Sequence, residues 1–326
     1  MGDIVRLADI IEPTIFQQYV IEQTVKTNLL ITSGIVATSP VFSAAAKSGG
    51  RTVRMPYWTE LSGADEVLSD SSALTTQKLG TAEDIATLHF RGAAWSANDL
   101  VTAVAGSDPM MAIANQTVTW WNAQFQAVVN ATLKGIFATT LASTHVKNIS
   151  IEDGVNATDA NKFNATDFLA ATFLLGDRHS SLQAIVCHST ILHRMLALDL
   201  IDFSKDSQGA MTIPTYMGRR VIVDDDVLKV AGGTSGYKYY TFLFGPGALA
   251  FGEGTPDNPV EVDRDVLAGD DILVHRRHFI LHPRGVKWGG SPASSSPTNV
   301  ELAVGASWTK VWQDKNIKMV AFVTNG

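Results

Sequence analysis

Between Ser107 and Phe137 apolar residues recur at Met111, Ala114, Val118, Trp121, Phe125, Val128 and Phe137, in steps of mostly three and four. That spacing is one stripe of a long helix. Ser107-Asp108-Pro109 is a helix start: a capping side chain, an acid, then proline where no amide partner is needed. The opposite face carries Asn115, Gln116, Thr117, Thr119, Asn122, Gln124, Gln126 and Asn130, with no charge between Asp108 and Lys134. A membrane span would not carry so many amides, and an ordinary surface helix would carry Lys and Glu. The pattern predicts a central helix covered on several sides, with Gly135 weakening its end.

Period-two segments flank it. Arg51 to Trp58 alternates as a strand, Asp65 to Thr76 is acidic, Ser-rich and turn-like, and Thr87 to Trp95 returns as a second strand. The expectation is a long hairpin over 51–95. Two strands alone are marginal in water, so this hairpin needs a surface to lie on. Residues 1–50 read as an arm, with a short helix over Pro13 to Thr27, a β-branched run over Leu29 to Val36, and small residues and glycine from Ser39 to Gly50. The arm has too little apolar material for a core of its own.

After a polar stretch from Thr139 to Thr158 the punctuation becomes α/β. Helices are expected over Ala165 to Arg178 and Ser189 to Leu198. Strands are expected over Leu182 to Cys187, Gly218 to Val223, Tyr237 to Phe244, Leu249 to Phe251, Val260 to Val262 and Ile272 to Leu281. Val300 to Trp308 and Ile317 to Val323 read as two last strands. The fold class is α+β.

Composition narrows the function. Of 326 residues 45% are hydrophobic, which suits a globular chain, and 17% are charged, against about 25% ordinarily. Fewer charges leave less material for a fully solvated surface, as in a subunit buried in an assembly. A net charge of −7 argues against charge-driven nucleic-acid binding, though not against enclosing nucleic acid. The single cysteine, Cys187, excludes an internal disulfide. Met1 to Leu7 does not read as a signal peptide, and no stretch reads as a bilayer span.

Candidate chemistry is thin. His275, His278 and His282 are the best metal candidates, but they fall on a strand where 275 and 278 face opposite sides, with Arg276 and Arg277 between them. Asp224-Asp225-Asp226 reads as a solvated turn at a strand end. Cys187 and His188 are neighbours that point apart, so they make no dyad. No nucleophile elbow, zinc-protease helix, phosphate-binding loop or Cys-x-x-Cys occurs. No catalytic, cofactor or metal residue is expected.

The order of arm, hairpin, long helix, α/β lobe and late strands resembles the major capsid proteins of tailed bacteriophages, the Hong Kong 97-type fold. Segments in register with that family are Arg91 to Leu100, Gly106 to Pro109, Val186 to Ser189, Met217 to Asp224, Tyr240 to Ala248, and Val262 to Val286. The resemblance implies an arm at 1–50, an extended loop at 51–95, a peripheral domain with a spine helix at 96–145, an axial domain at 146–250, and peripheral strands returning to the axial domain at 251–326. It implies self-assembly in hexamers and pentamers into an icosahedral shell around double-stranded DNA, in the virion, after assembly in the host bacterial cytoplasm. The partners implied are a portal, a decoration protein and, because the arm starts almost at Met1, a separate scaffolding protein. Contacts between subunits are expected at Arg51, Val53, Met55, Tyr57, Trp58, Phe90, Trp95 and Trp121. Some relatives cross-link through a loop lysine; Lys78 lies in the loop, but no partner asparagine or carboxylate is identifiable. The alternatives are a metal-dependent hydrolase on the α/β lobe, or another phage structural protein of a tube or decoration.

Overall fold

A computed structural model of the chain describes residues 34–326 apart from 48, 62, 69, 71, 72, 106, 107 and 206–210. The helix expected over Pro13 to Thr27, and Ser107, lie outside the described residues.

The long helix runs over Pro109–Gly135. At about 1.5 Å per residue it is about 40 Å long. The Asp108 carboxylate accepts from the Met110 and Met111 amides, and Pro109 takes the first turn. A turn of π-helix, Ile136–Thr140, ends it. From Trp121 onward its apolar stripe is buried, whereas Met111 and Val118 are each 65% exposed. Gln126 is buried and donates to the Asp224 carboxylate at 2.7 Å, and Asn130 donates to the Asp226 carbonyl. Part of the amide face is therefore covered by the subunit's own Asp224–Asp226 turn, not by a neighbour. That turn is correspondingly a helix-capturing element as well as a solvated one.

The helix packs between two sheets. The first has six strands, ordered Val36–Thr38, Leu249–Gly254, Asp270–Pro283, Thr81–Asn98 and Thr52–Trp58, with Val260–Asp265 paired to Asp270–Pro283. The second has eight, ordered Val146–Asn148, Met319–Thr324, Tyr237–Phe244, Ala184–Cys187, Arg219–Val223, Met211–Tyr216 and Asp202–Lys205, with Lys229–Ala231 paired to Tyr237–Phe244. One core joins them: Trp121, Phe125 and Val129 of the helix with Phe251 and Phe279 of the first sheet and Phe242 and Phe244 of the second. The far face of the second sheet has its own core, in which Phe163, Phe168, Ile191 and Met195 cover Ile185, Val221 and Phe322.

Four sequence expectations are corrected. The returning strand of the hairpin begins at Thr81, not Thr87, and runs 18 residues to Asn98. Only Thr81 to Thr87 pairs with Thr52 to Trp58, while Leu88 to Asn98 pairs with Asp270 to Ile280. The same strand is hairpin at one end and sheet interior at the other. Ser39 to Gly50 contains a helix, Pro40–Lys47, that lays Phe42 and Ala46 on Ala250 and Ile280, so this end of the arm packs on its own subunit. Gly252 and Gly254 allow that close approach: a Cβ at Gly252 would meet Phe42 at 2.5 Å. Val300 to Trp308 is not a strand but a short helix, Asn299–Leu302, begun by a Thr298/Glu301 capping box, then a 3-10 turn. Ala165 to Arg178 divides at Thr172, beyond which a 3-10 segment contains Gly176 at a positive φ of 58°.

Candidate assembly surfaces

The hairpin is tied to the body at its base and bare beyond. Tyr57 donates from its hydroxyl to the Val311 carbonyl at 2.7 Å and meets Trp312 edge-on at 6.5 Å. Gln313 donates to Glu60 at 2.9 Å. Burial, with Asp84 nearby, pushes the Tyr57 phenol above its usual range. Under the base, Asp84 sits opposite Met55 in the register and is buried. One of its oxygens accepts from the Gly285 amide at 3.3 Å and lies 2.9 Å from His282 Nε2. Beyond Trp58 the described residues form no strand until Thr81, and Leu61, Val67, Leu68 and Leu74 are 58–95% exposed. Free energy of about 1.5–3 kcal/mol is available for each large apolar side chain fully buried, and nothing among the described residues of this subunit takes it up.

The residues expected at contacts separate into three groups. Arg51 and Trp58 are exposed, Trp58 at 68%. Val53, Met55, Tyr57, Phe90 and Trp95 are half-buried against their own subunit. Val53, Met55 and Phe90 pack on the arm-helix core, and Phe90 meets His278 edge-on at 4.7 Å. Trp95 packs on Trp120 at 5.1 Å. Trp121 is 2% exposed and lies in the central core, with Arg277 over its ring. Trp121 is thus an internal residue. An aromatic on a helix stripe has the same sequence signature whether a sheet or a neighbour covers it.

The histidines do not converge. His275 sits beside Trp95 and His278 beside Phe90, on opposite faces of the strand, and burial lowers the pKa of each ring. Among the described residues no group of three His, Cys, Asp or Glu is placed to hold a metal ion. Cys187 is buried, and its thiol is pushed up to about 12, first by burial and then by Asp225. His188 instead caps the Ser189–Ala197 helix, its Nδ1 accepting from the Thr190 amide at 3.1 Å.

Two further surfaces lacked a sequence signal strong enough to single them out. A cleft of about 930 Å³ lies under the hairpin, with Val41, Trp58, Leu61, Arg178, Trp312 and Lys318 in its lining. The Val260–Asp265 strand and the turn after it expose Val260, Val262, Val266 and Leu267. Alternation of valine with acids over Val260 to Asp265 was the available clue to an open edge strand.

This architecture, a long helix holding two sheets with one strand extended into a projecting hairpin, is that of phage capsid subunits. The capsid asymmetric unit of Cyanophage Pam1 superposes with a TM-score of 0.59 at 11% identity, covering 98% of this chain and 97% of that one. A chain of Mycobacterium phage Che8 gives 0.57 at 10% identity, covering 95% and 96%. The family model Gp13-like, described as major capsid protein 13-like, matches residues 69–323. The major capsid protein of Bacillus phage SPP1 is 41% identical over 322 residues, 97% of each chain. The chain belongs to this Gp13-like family of major capsid proteins. It is a shell-forming protein of a tailed-phage virion with the Hong Kong 97-type fold. No helix among the described residues is long and apolar enough to cross a membrane.

Proposed function

We propose that copies of this chain form hexamers and pentamers that close an icosahedral shell around packaged double-stranded DNA, and that the extended hairpin of each copy clamps its neighbour. The observation that carries this is the bare loop beyond Trp58, anchored through Tyr57 and Asp84 and offering Leu61, Val67 and Leu68 to a second surface. In this reading the six-stranded sheet with the long helix is the peripheral domain and the eight-stranded sheet the axial domain. The shell encloses DNA without reading its sequence, in keeping with a net charge of −7. Assembly takes place in the host bacterial cytoplasm with a separate scaffolding protein and a portal, and a decoration protein can bind the finished surface.

The chain performs no catalysis in this account. The divergent histidines and the protonated, buried Cys187 support that. Expression of the full chain together with its neighbouring gene products, followed by negative-stain microscopy, tests it. Closed particles of uniform size are expected. A purely soluble monomer, or open tubes, would overturn it.

A further inference from the structure

The six-stranded sheet has two unlike corners. At one, Val262, Val266 and Leu267 are 72%, 80% and 100% exposed. Within residues 260–271 the acids are Glu261, Asp263, Asp265, Asp270 and Asp271, and Arg264 is the one basic residue. Arg264 is already held by Asp99 at 2.7 Å and Asp271 at 3.1 Å. A fully exposed leucine on a turn ringed by carboxylates is surface that an isolated subunit has no use for.

At the other corner lies the cleft beneath the hairpin. Its apolar wall includes Val41, Trp58 and Leu61, which are 70%, 68% and 80% exposed. Arg178, Arg284 and Lys318 also line it, together with two acids that are already held, Glu60 by Gln313 and Asp84 by His282; among the described residues neither Arg284 nor Lys318 is in an ion pair. The cleft therefore offers an apolar seat with cations beside it. The turn offers apolar side chains with acids beside them.

One subunit cannot bring the two together. Asp265 pairs with Asp270, which pairs with Asn98, while the hairpin leaves the same long strand at Thr87 and before. At about 3.3 Å per residue the corners stand about 35 Å apart along that strand. Two complementary patches at different places on one chain make a head-to-tail contact, the kind that closes rings.

We propose that the Val266–Leu267 turn of one copy seats in the hairpin cleft of the next, with Asp263 and Asp265 set against Arg284 and Lys318. The inference rests on the shell-forming reading and names the second surface by which neighbours recognise each other. Burial of the turn supplies the holding energy, and the charges set register and weaken with salt.

The test uses the full chain, in which Cys187 is the sole cysteine and is buried. Leu267→Cys is combined with Leu61→Cys, and separately with Val41→Cys. Particles are oxidised and run in denaturant without reductant. A ladder of multimers that collapses on reduction is expected from at least one pair, and single chains from each variant alone. Dimers from Leu267→Cys alone would mean that turn meets turn, and would overturn the proposal. Normal particles with no links in either pair would also overturn it while leaving shell formation standing; failure of the unmodified chain to form particles is instead a failure of the shell reading. Charge exchange gives an independent arm. Asp263→Lys with Asp265→Lys, and Arg284→Glu with Lys318→Glu, should each abolish particles while circular dichroism stays native. Combining all four should restore them, and a folded combination that stays unassembled counts against the contact.

Discussion

His282 Nε2 lies 2.9 Å from the Asp84 carboxylate, and the two side chains are 1% and 6% exposed. One comes from the root of the projecting hairpin and the other from the sheet interior, so the pair fixes where the hairpin leaves the body. Replacing Asp84 by Ala strands a buried imidazole and removes the acceptor for the Gly285 amide. Losing a buried hydrogen bond to a charged group costs about 1.5–3 kcal/mol. Asp84→Ala should lower the denaturation midpoint accordingly, and Asp84→Asn, which keeps an acceptor, should lose less. Equal midpoints for Asp84→Ala and the parent chain in urea would refute the anchoring role.

Gly135 is the last residue of the long helix, in helical conformation. A Cβ there would run into the Leu302 carbonyl and come within 2.7 Å of Trp308 Nε1, the donor to that same carbonyl at 2.9 Å. Helix propensity alone favours alanine by about 1 kcal/mol. Overpacking costs about 1–3 kcal/mol and should win here. Gly135→Ala is expected to be destabilising; a stabilised variant in thermal denaturation would show that the neighbours yield.

His89 is fully buried and stacks on Phe279 at 5.0 Å, and neither ring nitrogen has a hydrogen-bond partner among the described residues. Burial, then Arg91, lowers its pKa to about 3. The folded state therefore keeps the ring neutral while the unfolded chain protonates near 6.5. Its contribution to stability is intact above about pH 6.5 and is lost progressively as pH falls from there toward 3. The slope is about 1.4 kcal/mol per pH unit, or about 2 kcal/mol between pH 6.5 and 5. His89→Phe should remove that acid sensitivity and match or exceed the parent at pH 8. An unchanged difference between the stabilities at pH 8 and pH 5 would contradict it.

Lys78 is exposed on the loop with no identified partner for a cross-link. Mature particles boiled in detergent should release single chains near 35.0 kDa. A multimer ladder that survives reduction would show covalent joining.

The sequence was most legible where one period persisted. The stripe from Trp121 to Phe125 and Val128 faces one core, and the strand over Tyr237–Phe244 is an apolar run because cores cover it on both faces, Phe242 and Phe244 on one and Leu243 on the other. It was least legible where one element serves two surroundings. Thr81 to Asn98 is a single strand with two partners, and nothing in its alternation marks the change at Leu88. Gly135 reads as a helix breaker until Leu302 and Trp308 are seen crossing it. Ser39 to Gly50 looks like linker because its helix buries small residues, with Phe42 and Ala46 fitting over Gly252 and Gly254. Trp121 and Trp58 have equal hydrophobicity, and only the tertiary structure separates the core residue from the exposed one.

The clamp can be removed without touching its anchor. A deletion reaching Asp84 would destroy the His282 pair and the strand that carries it, so the informative cut is narrower. Residues 61–79 replaced by a short Gly/Ser turn leave Thr52–Trp58 and Thr81–Asn98 paired and Glu60 in place against Gln313. The decisive measurement is sedimentation velocity of this shortened chain, with native circular dichroism as the check on folding. A folded chain that sediments as monomer or small oligomer and forms no closed shell is expected. Closed shells of normal size from the shortened chain would contradict the claim that the hairpin holds neighbours together.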